Sequence, residues 1–277
     1  MDYVYIGLII LFAVLAHEIG HLIAMRKCGV WVNELGIGFP VGPRIGWTFS
    51  SQTYAGKTFR ISFYPLLLLG AFVRPEDEKS MTQLSYHDQA FISGAGIIAN
   101  LMCIALGFAL LGILLPEHPA RAMNFPLIGK LAISHSLIWG GLFCAGFMLW
   151  FARPITQYLF PIGAIATLVW VVTILLSMQF GEFVERSGGV VAIAQLGKNF
   201  AGSAVALTFY GIIISYLLAL TNLLPIYPLD GGRTMKLLGE KFFPRMWVFC
   251  EKAGIAFFVF LMIFALYGDL RRIVALF

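Results

Sequence analysis

Charge is scarce in this chain: Asp, Glu, Lys and Arg make up 12% of its 277 residues, against 60% hydrophobic residues and a mean hydropathy of +0.86. With 25 Phe and 6 Trp, so few charges would leave a soluble domain exposing far too much apolar surface. That excludes disordered, collagenous and coiled-coil chains and a soluble nucleic-acid binder. Cysteine is scarce too. Cys28, Cys103, Cys144 and Cys250 show no CxxC or other paired spacing, which argues against a disulfide frame or a zinc knuckle and suits small core residues. Internal repeats and low-complexity tracts are missing, and Met1-Asp2-Tyr3 offers no basic n-region. The first apolar stretch is therefore expected to be a span and not a cleaved signal. What remains is an all-α polytopic membrane protein.

Crossing about 30 Å of hydrocarbon takes about 20 apolar residues. Charge-free runs of that length occupy Gln89 to Pro116, Leu131 to Ala152, Pro154 to Gly181 and Asn199 to Leu229. Tyr3 to Met25 is apolar apart from Glu18 and two histidines, and Ala253 to Gly268 is a shorter run whose helix should start near Trp247. Six spans are predicted, with both termini on one side. Loop cations then choose the side. With the termini outside, the inner loops hold Arg26, Lys27, Arg44, Lys57, Arg60, Arg74, Lys79, Arg153, Arg233, Lys236, Lys241 and Arg245. The outer loops hold only Arg121, Lys130, Arg186, Lys198, Arg271 and Arg272. The termini are therefore expected outside and the loops after spans one, three and five in the cytosol.

The connection from Arg26 to Asp88 is long and unevenly polar. Trp31 to Ile45 is punctuated by Gly and Pro, and Phe59-Arg60-Ile61-Ser62-Phe63-Tyr64 alternates, which predicts a small β-loop after the first helix. Phe63 to Phe72 is too short to span but apolar enough to dip into the membrane against protein. An amphipathic surface loop is the plainer alternative.

The first span contains His17-Glu18-Ile19-Gly20-His21, an HExxH pattern. On a helix, positions i and i+4 share a face, so both imidazoles can bind one Zn²⁺ while the Glu between them reaches the activated water. Composition alone, with 5 His and 14 acidic residues, yields roughly 0.0045 such patterns by chance. A packing role is also expensive, because a charge at the centre of a span costs about +2.5 to +3.5 kcal/mol on insertion scales. A catalytic zinc site normally has three protein ligands. Asp230 is the outstanding third candidate, at the end of Asn222-Leu223-Leu224-Pro225-Ile226-Tyr227-Pro228-Leu229-Asp230-Gly231-Gly232-Arg233. The prolines break the helix and the glycines allow a tight turn that aims the carboxylate. In the predicted topology Asp230 lies at the same depth as the histidines.

HEIGH together with NLLPIYPLDGG resembles the site-2 proteases, the intramembrane zinc metalloproteases, whose signatures are HExxH and NxxPxxxLDG. Ser93-Gly94-Ala95-Gly96-Ile97-Ile98-Ala99-Asn100 is similar to that family's Gly-rich segment, and Gly188 to Gln195 to the segment leading into its Asp-bearing helix. Gly36 to Pro43 and Ile61 to Phe72 resemble its membrane-associated β-loop. The resemblance implies His17, His21 and Asp230 as zinc ligands, Glu18 as general base, and Asn222 and Asn100 as candidate substrate-site residues. It implies a transmembrane segment of another membrane protein as substrate and a bacterial cytoplasmic membrane as location, with no nucleic-acid partner. Asn222 serves equally well as an interhelical hydrogen-bonder.

Between Arg121 and Glu185 many bacterial relatives carry PDZ domains, where this chain has two apolar runs. A single membrane-embedded protease domain over 1–277 is expected: 1–115 with the HExxH helix, β-loop and second span, 116–184 with the extra pair, and 185–277 with the Asp-bearing and last spans. His87, His118 and His135 have no partner at ligand spacing. Two other readings remain. A metal transporter would need a series of intramembrane sites and not one. A relative that binds membrane partners without cutting them would usually have lost a ligand or the Glu. For strand addition of an unwound substrate to the β-loop, proline at Ser62 is expected to lower turnover while sparing zinc content.

Overall fold

The computed structural model describes residues 2–50, 56–114, 122–125, 129–132 and 189–274 except 199 and 201, with isolated positions 165, 166 and 169. Helix α1 runs Asp2–Lys27. It closes on Gly29, whose φ of +80° suits a glycine, with Val30 N–H donating to the Met25 carbonyl at 2.9 Å and Gly29 N–H to that of Arg26 at 3.2 Å. This paired closure satisfies the last carbonyls and turns the chain sharply. Four strands follow, β1 Val32–Phe39, β2 Ile45–Ser50, β3 Thr58–Phe63 and β4 Leu66–Pro75. They form one sheet in the order β2-β3-β1-β4, in which β1 and β3 are parallel and the other pairs antiparallel.

The short helix α2 (Glu78–Thr82) leads into α3 (Tyr86–Leu114). Ser85 starts α3 by accepting the Asp88 N–H at 3.2 Å while donating to the Asp88 carboxylate at 2.8 Å, a reciprocal cap. A hairpin of β5 (Ala122–Phe125) and β6 (Gly129–Ala132) comes next. Then follow α4 (Val190–Lys198), α5 (Ala204–Leu223), α6 (Asp230–Phe242) and α7 (Pro244–Val274).

Among the described residues, four helices are long and apolar enough to cross a membrane: Tyr3–Lys27, Tyr86–Leu114, Ala204–Leu223 and Pro244–Val274. They correspond to predicted spans one, two, five and six, the last beginning three residues before Trp247. The remaining runs, Leu131 to Ala152 and Pro154 to Gly181, lie outside the described residues save for a few positions, of which Leu131 and Ala132 are paired in β6.

Helices α1, α3 and α5 make the core. Lipid provides no hydrophobic drive for helix association, so close approach at small residues does the work. A Cβ on Gly20 would lie 2.5 Å from the Ala95 carbonyl, and one on Gly107 would lie 2.5 Å from Ile212. Ile6, Ile10 and Ala13 of α1 pack on Tyr210 and Ile214 of α5, and the buried Asn100 of α3 donates to the Ser215 carbonyl at 3.3 Å.

The predicted β-loop is a sheet, and the apolar segment Phe63 to Phe72 falls mostly in β4. Gly70 of β4 shares a cavity with Ile10 and Val14 of α1 and Ile214 of α5, so this strand lies against the membrane helices. Ser62 does not occupy an edge. It sits in β3, paired with Gly36 of β1 and Gly46 of β2, and its buried hydroxyl donates to Glu34 at 2.5 Å. Proline there would break the centre of the sheet, so substitution at Ser62 cannot isolate strand addition.

Candidate metal centre

The α1 helix places His17 and His21 one turn apart on the face turned toward α3. Both are buried, at 5% and 7% exposure, with ring centroids 4.8 Å apart and planes 77° from parallel. Gly96 of α3 makes room for them, since a Cβ there would lie 2.5 Å from each Nε2. His21 is oriented from behind, its Nδ1 donating to the Ile92 carbonyl at 2.7 Å. In the neutral ring that leaves Nε2 as a lone pair pointing inward.

Asp230 arrives from a segment 209 residues away. Helix α5 ends at Leu223, the chain turns through Pro225 and the cis Tyr227–Pro228 bond, and α6 opens at Asp230. The two glycines after Asp230 make this turn possible. A Cβ on Gly231 would strike the Leu223 carbonyl, and one on Gly232 the backbone of Ile226 and Tyr227. Helix α7 braces the turn from outside, with Gly254 against Tyr227 and Glu251 accepting from Lys236 at 2.9 Å.

Asp230 Oδ2 lies 3.0 Å from His17 Nε2 and 3.1 Å from His21 Nε2, and the two nitrogens are 3.2 Å apart. A tetrahedral ion with bonds of about 2.0–2.1 Å holds its ligand atoms about 3.3 Å apart, so three corners of such a site are present, and no described His, Cys, Asp or Glu supplies a fourth. The donor chemistry fits as well. With Nδ1–H committed to Ile92, neutral His21 presents an acceptor to a carboxylate oxygen, a contact that needs a proton or a metal between the two. Among the described residues this is the one cluster of three or more His, Cys, Asp or Glu side chains able to hold a metal.

The other predicted residues are placed differently. Glu18 is half-buried beside the cluster, within electrostatic reach of His21, His17, Asp230 and Arg233. Asn222 donates to the Leu218 carbonyl of its own helix at 3.1 Å. Asn100 ties α3 to α5. Neither amide joins the triad. Sequence reasoning gave Gly96 only as part of the Gly-rich segment and Arg233 only as a loop cation beside Asp230, and it passed over Ile92. Arg233 had a visible signal, its position three residues after Asp230, whereas Gly96 and Ile92 matter only because α3 lies against α1.

The sequence profile of peptidase family M50 matches residues 5–266. The chain belongs to that family, the site-2 proteases. It is also similar to three proteins named as candidate zinc metalloproteases. One from Nostoc sp. is 23% identical over 310 aligned positions, covering 82% of this chain and 83% of the relative. One from Campylobacter jejuni is 33% identical over 96 positions, 32% of this chain and 26% of the relative. The third, from Pasteurella multocida, is 31% identical over 112 positions, 36% of this chain and 24% of the relative. The family match takes in both ends of the cluster, the α1 histidines and the Asp230 turn.

Proposed function

We propose that this chain is an intramembrane zinc metalloprotease that hydrolyses a peptide bond within or near the transmembrane segment of another membrane protein. The observation that carries the reading is the convergence of His17, His21 and Asp230 at 3.0–3.2 Å inside a bundle of apolar helices. These three residues would hold the zinc ion. When bound, zinc supplies Lewis acidity that activates water and polarises the scissile carbonyl. Glu18, between the two histidines, takes the proton of the attacking water and passes it to the leaving amine. Ile92 holds His21 in the tautomer that faces inward, and the Pro-Gly turn holds Asp230.

A helical substrate must unwind before its peptide bond is accessible, and an extended segment recovers its backbone hydrogen bonds by adding to a sheet edge. Of the two edges, β4 lies against α1 whereas β2 is exposed along its length, so β4 receives the substrate in this reading. A soluble extended apolar peptide should then compete with the substrate, and cleavage indifferent to such peptides would exclude the edge. Loop charges favour termini outside and a site toward the cytosol of a bacterial cytoplasmic membrane.

The deciding experiment compares wild type with Glu18→Gln for zinc content and for cleavage of a reporter with a single transmembrane helix. Zinc in both and cleavage only in wild type is the expected outcome. A chain without stoichiometric zinc would remove the metal site, and cleavage that survives Glu18→Gln would remove the assigned base.

A further inference from the structure

The polar face of the sheet carries a second cluster, unrelated in chemistry to the metal triad. Glu34 of β1 pairs in register with Arg60 of β3 and Arg74 of β4, so the three side chains stand on one face. Arg44 joins them from the loop before β2. Together with Asn33 and Thr58 they line an open cavity of about 210 Å³.

Glu34 is only 4% exposed, and both its oxygens are occupied. Oε1 accepts from Ser62 at 2.5 Å, Arg44 at 3.1 Å and Tyr64 at 3.2 Å, and Oε2 accepts from Arg74 at 2.9 Å. One carboxylate therefore orients two guanidiniums while neutralising one. Arg60 donates Nε to the neutral Thr48 hydroxyl at 3.1 Å, and among the described residues it has no acidic partner. Among the described residues, three cations against one anion leave two positive charges uncompensated around the cavity. Asn33 lies at a register irregularity of β1, and its Oδ1 is buried without a partner among the described residues.

We propose that this pocket binds a phosphate group. Guanidinium forks reach the cavity from β3, β4 and the β2 loop, and a tetrahedral phosphate offers oxygens in several directions, whereas a carboxylate offers two in one plane. Because Glu34 already holds two of the forks, little ordering remains to be done on binding. The phosphate belongs either to an anionic lipid headgroup or to a soluble phosphate compound.

The test uses the full chain purified in detergent. Inorganic phosphate is titrated by calorimetry against a chloride control at equal ionic strength. Retention of phosphatidylglycerol and of phosphatidylcholine is compared by native mass spectrometry. Arg60→Gln removes one fork and leaves every Glu34 bond in place, so it should weaken binding about ten- to hundredfold. Arg60→Lys keeps the charge without the fork and should fall between, and it also guards against a folding defect in the first variant. Arg60-dependent retention of phosphatidylglycerol over phosphatidylcholine assigns a lipid headgroup. Arg60-dependent binding of inorganic phosphate without lipid preference assigns a soluble ligand. Binding of neither, or binding undiminished in both variants, overturns the proposal.

Discussion

Gly96→Ala tests the metal centre through the packing that shapes it. The added Cβ would lie 2.5 Å from Nε2 of both His17 and His21 and 2.6 Å from Cε1 of His17, where carbon contacts normally settle near 3.5 Å. The rings or the helices must give by about 1 Å. The rings have little freedom, since both are buried on one helix and His21 is tied to the Ile92 carbonyl at 2.7 Å. Separating α1 from α3 would open the Gly20–Ala95 contact and pull the histidines from Asp230. Metal sites tolerate errors of about ±0.2 Å in ligand distance, so a shift of this size should weaken zinc at least hundredfold, about 2.8 kcal/mol. Zinc stoichiometry after dialysis against graded chelator reads the loss. Gly107→Ala is the control, on the same helix as Gly96 but away from the histidines, where the added Cβ meets Ile212 of α5: it should lower the melting temperature and spare zinc. A Gly96→Ala protein holding zinc within threefold of wild type would refute the argument.

Two other perturbations probe the frame around the site. Burial raises the Glu34 carboxyl, but the Ser62 hydrogen bond, the Arg74 and Arg44 guanidiniums and the Tyr64 hydroxyl outweigh it and hold the group below its ordinary value of 4.5. A folded value below the unfolded one contributes stability that is present above the unfolded value and lost as pH falls through the folded one. Glu34→Gln should therefore lower the melting temperature at pH 7, and its deficit should shrink below pH 4.5; a deficit independent of pH would contradict the linkage. Asp269 of α7 accepts the Gly189, Ala192 and Val191 N–H groups at 2.9–3.2 Å, capping α4 from another helix. Asp269→Ala should speed amide exchange in 189–198 about tenfold, as expected for a lost N-cap of about 1.4 kcal/mol, and unchanged exchange would show that the cap contributes nothing.

Much of this protein can be read from short-range pattern. Hydrophobic runs specify spans because a bilayer demands length and apolarity, and the helices Tyr3–Lys27, Tyr86–Leu114, Ala204–Leu223 and Pro244–Val274 fall on four of the six predicted runs. The HEIGH spacing puts two imidazoles on one face because 3.6 residues make a turn. Gly and Pro punctuation after Trp31 and alternation over Phe59 to Tyr64 announce strands. Pairing order is another matter: Ser62 reads as a generic strand position, and only the parallel β1–β3 crossing buries it between two neighbours above Glu34. A run of cations in one loop likewise does not say that Arg44, Arg60 and Arg74 converge, which depends on strand register. Asp230 stands out in sequence for its Pro and Gly neighbours, yet its meeting with the histidines across 209 residues requires the packing of α6 beneath α3. Gly96 shows the limit most clearly. The sequence places it in a Gly-rich segment and no more; it bears on the metal centre because close helix approach leaves no space for a methyl group beside two imidazoles.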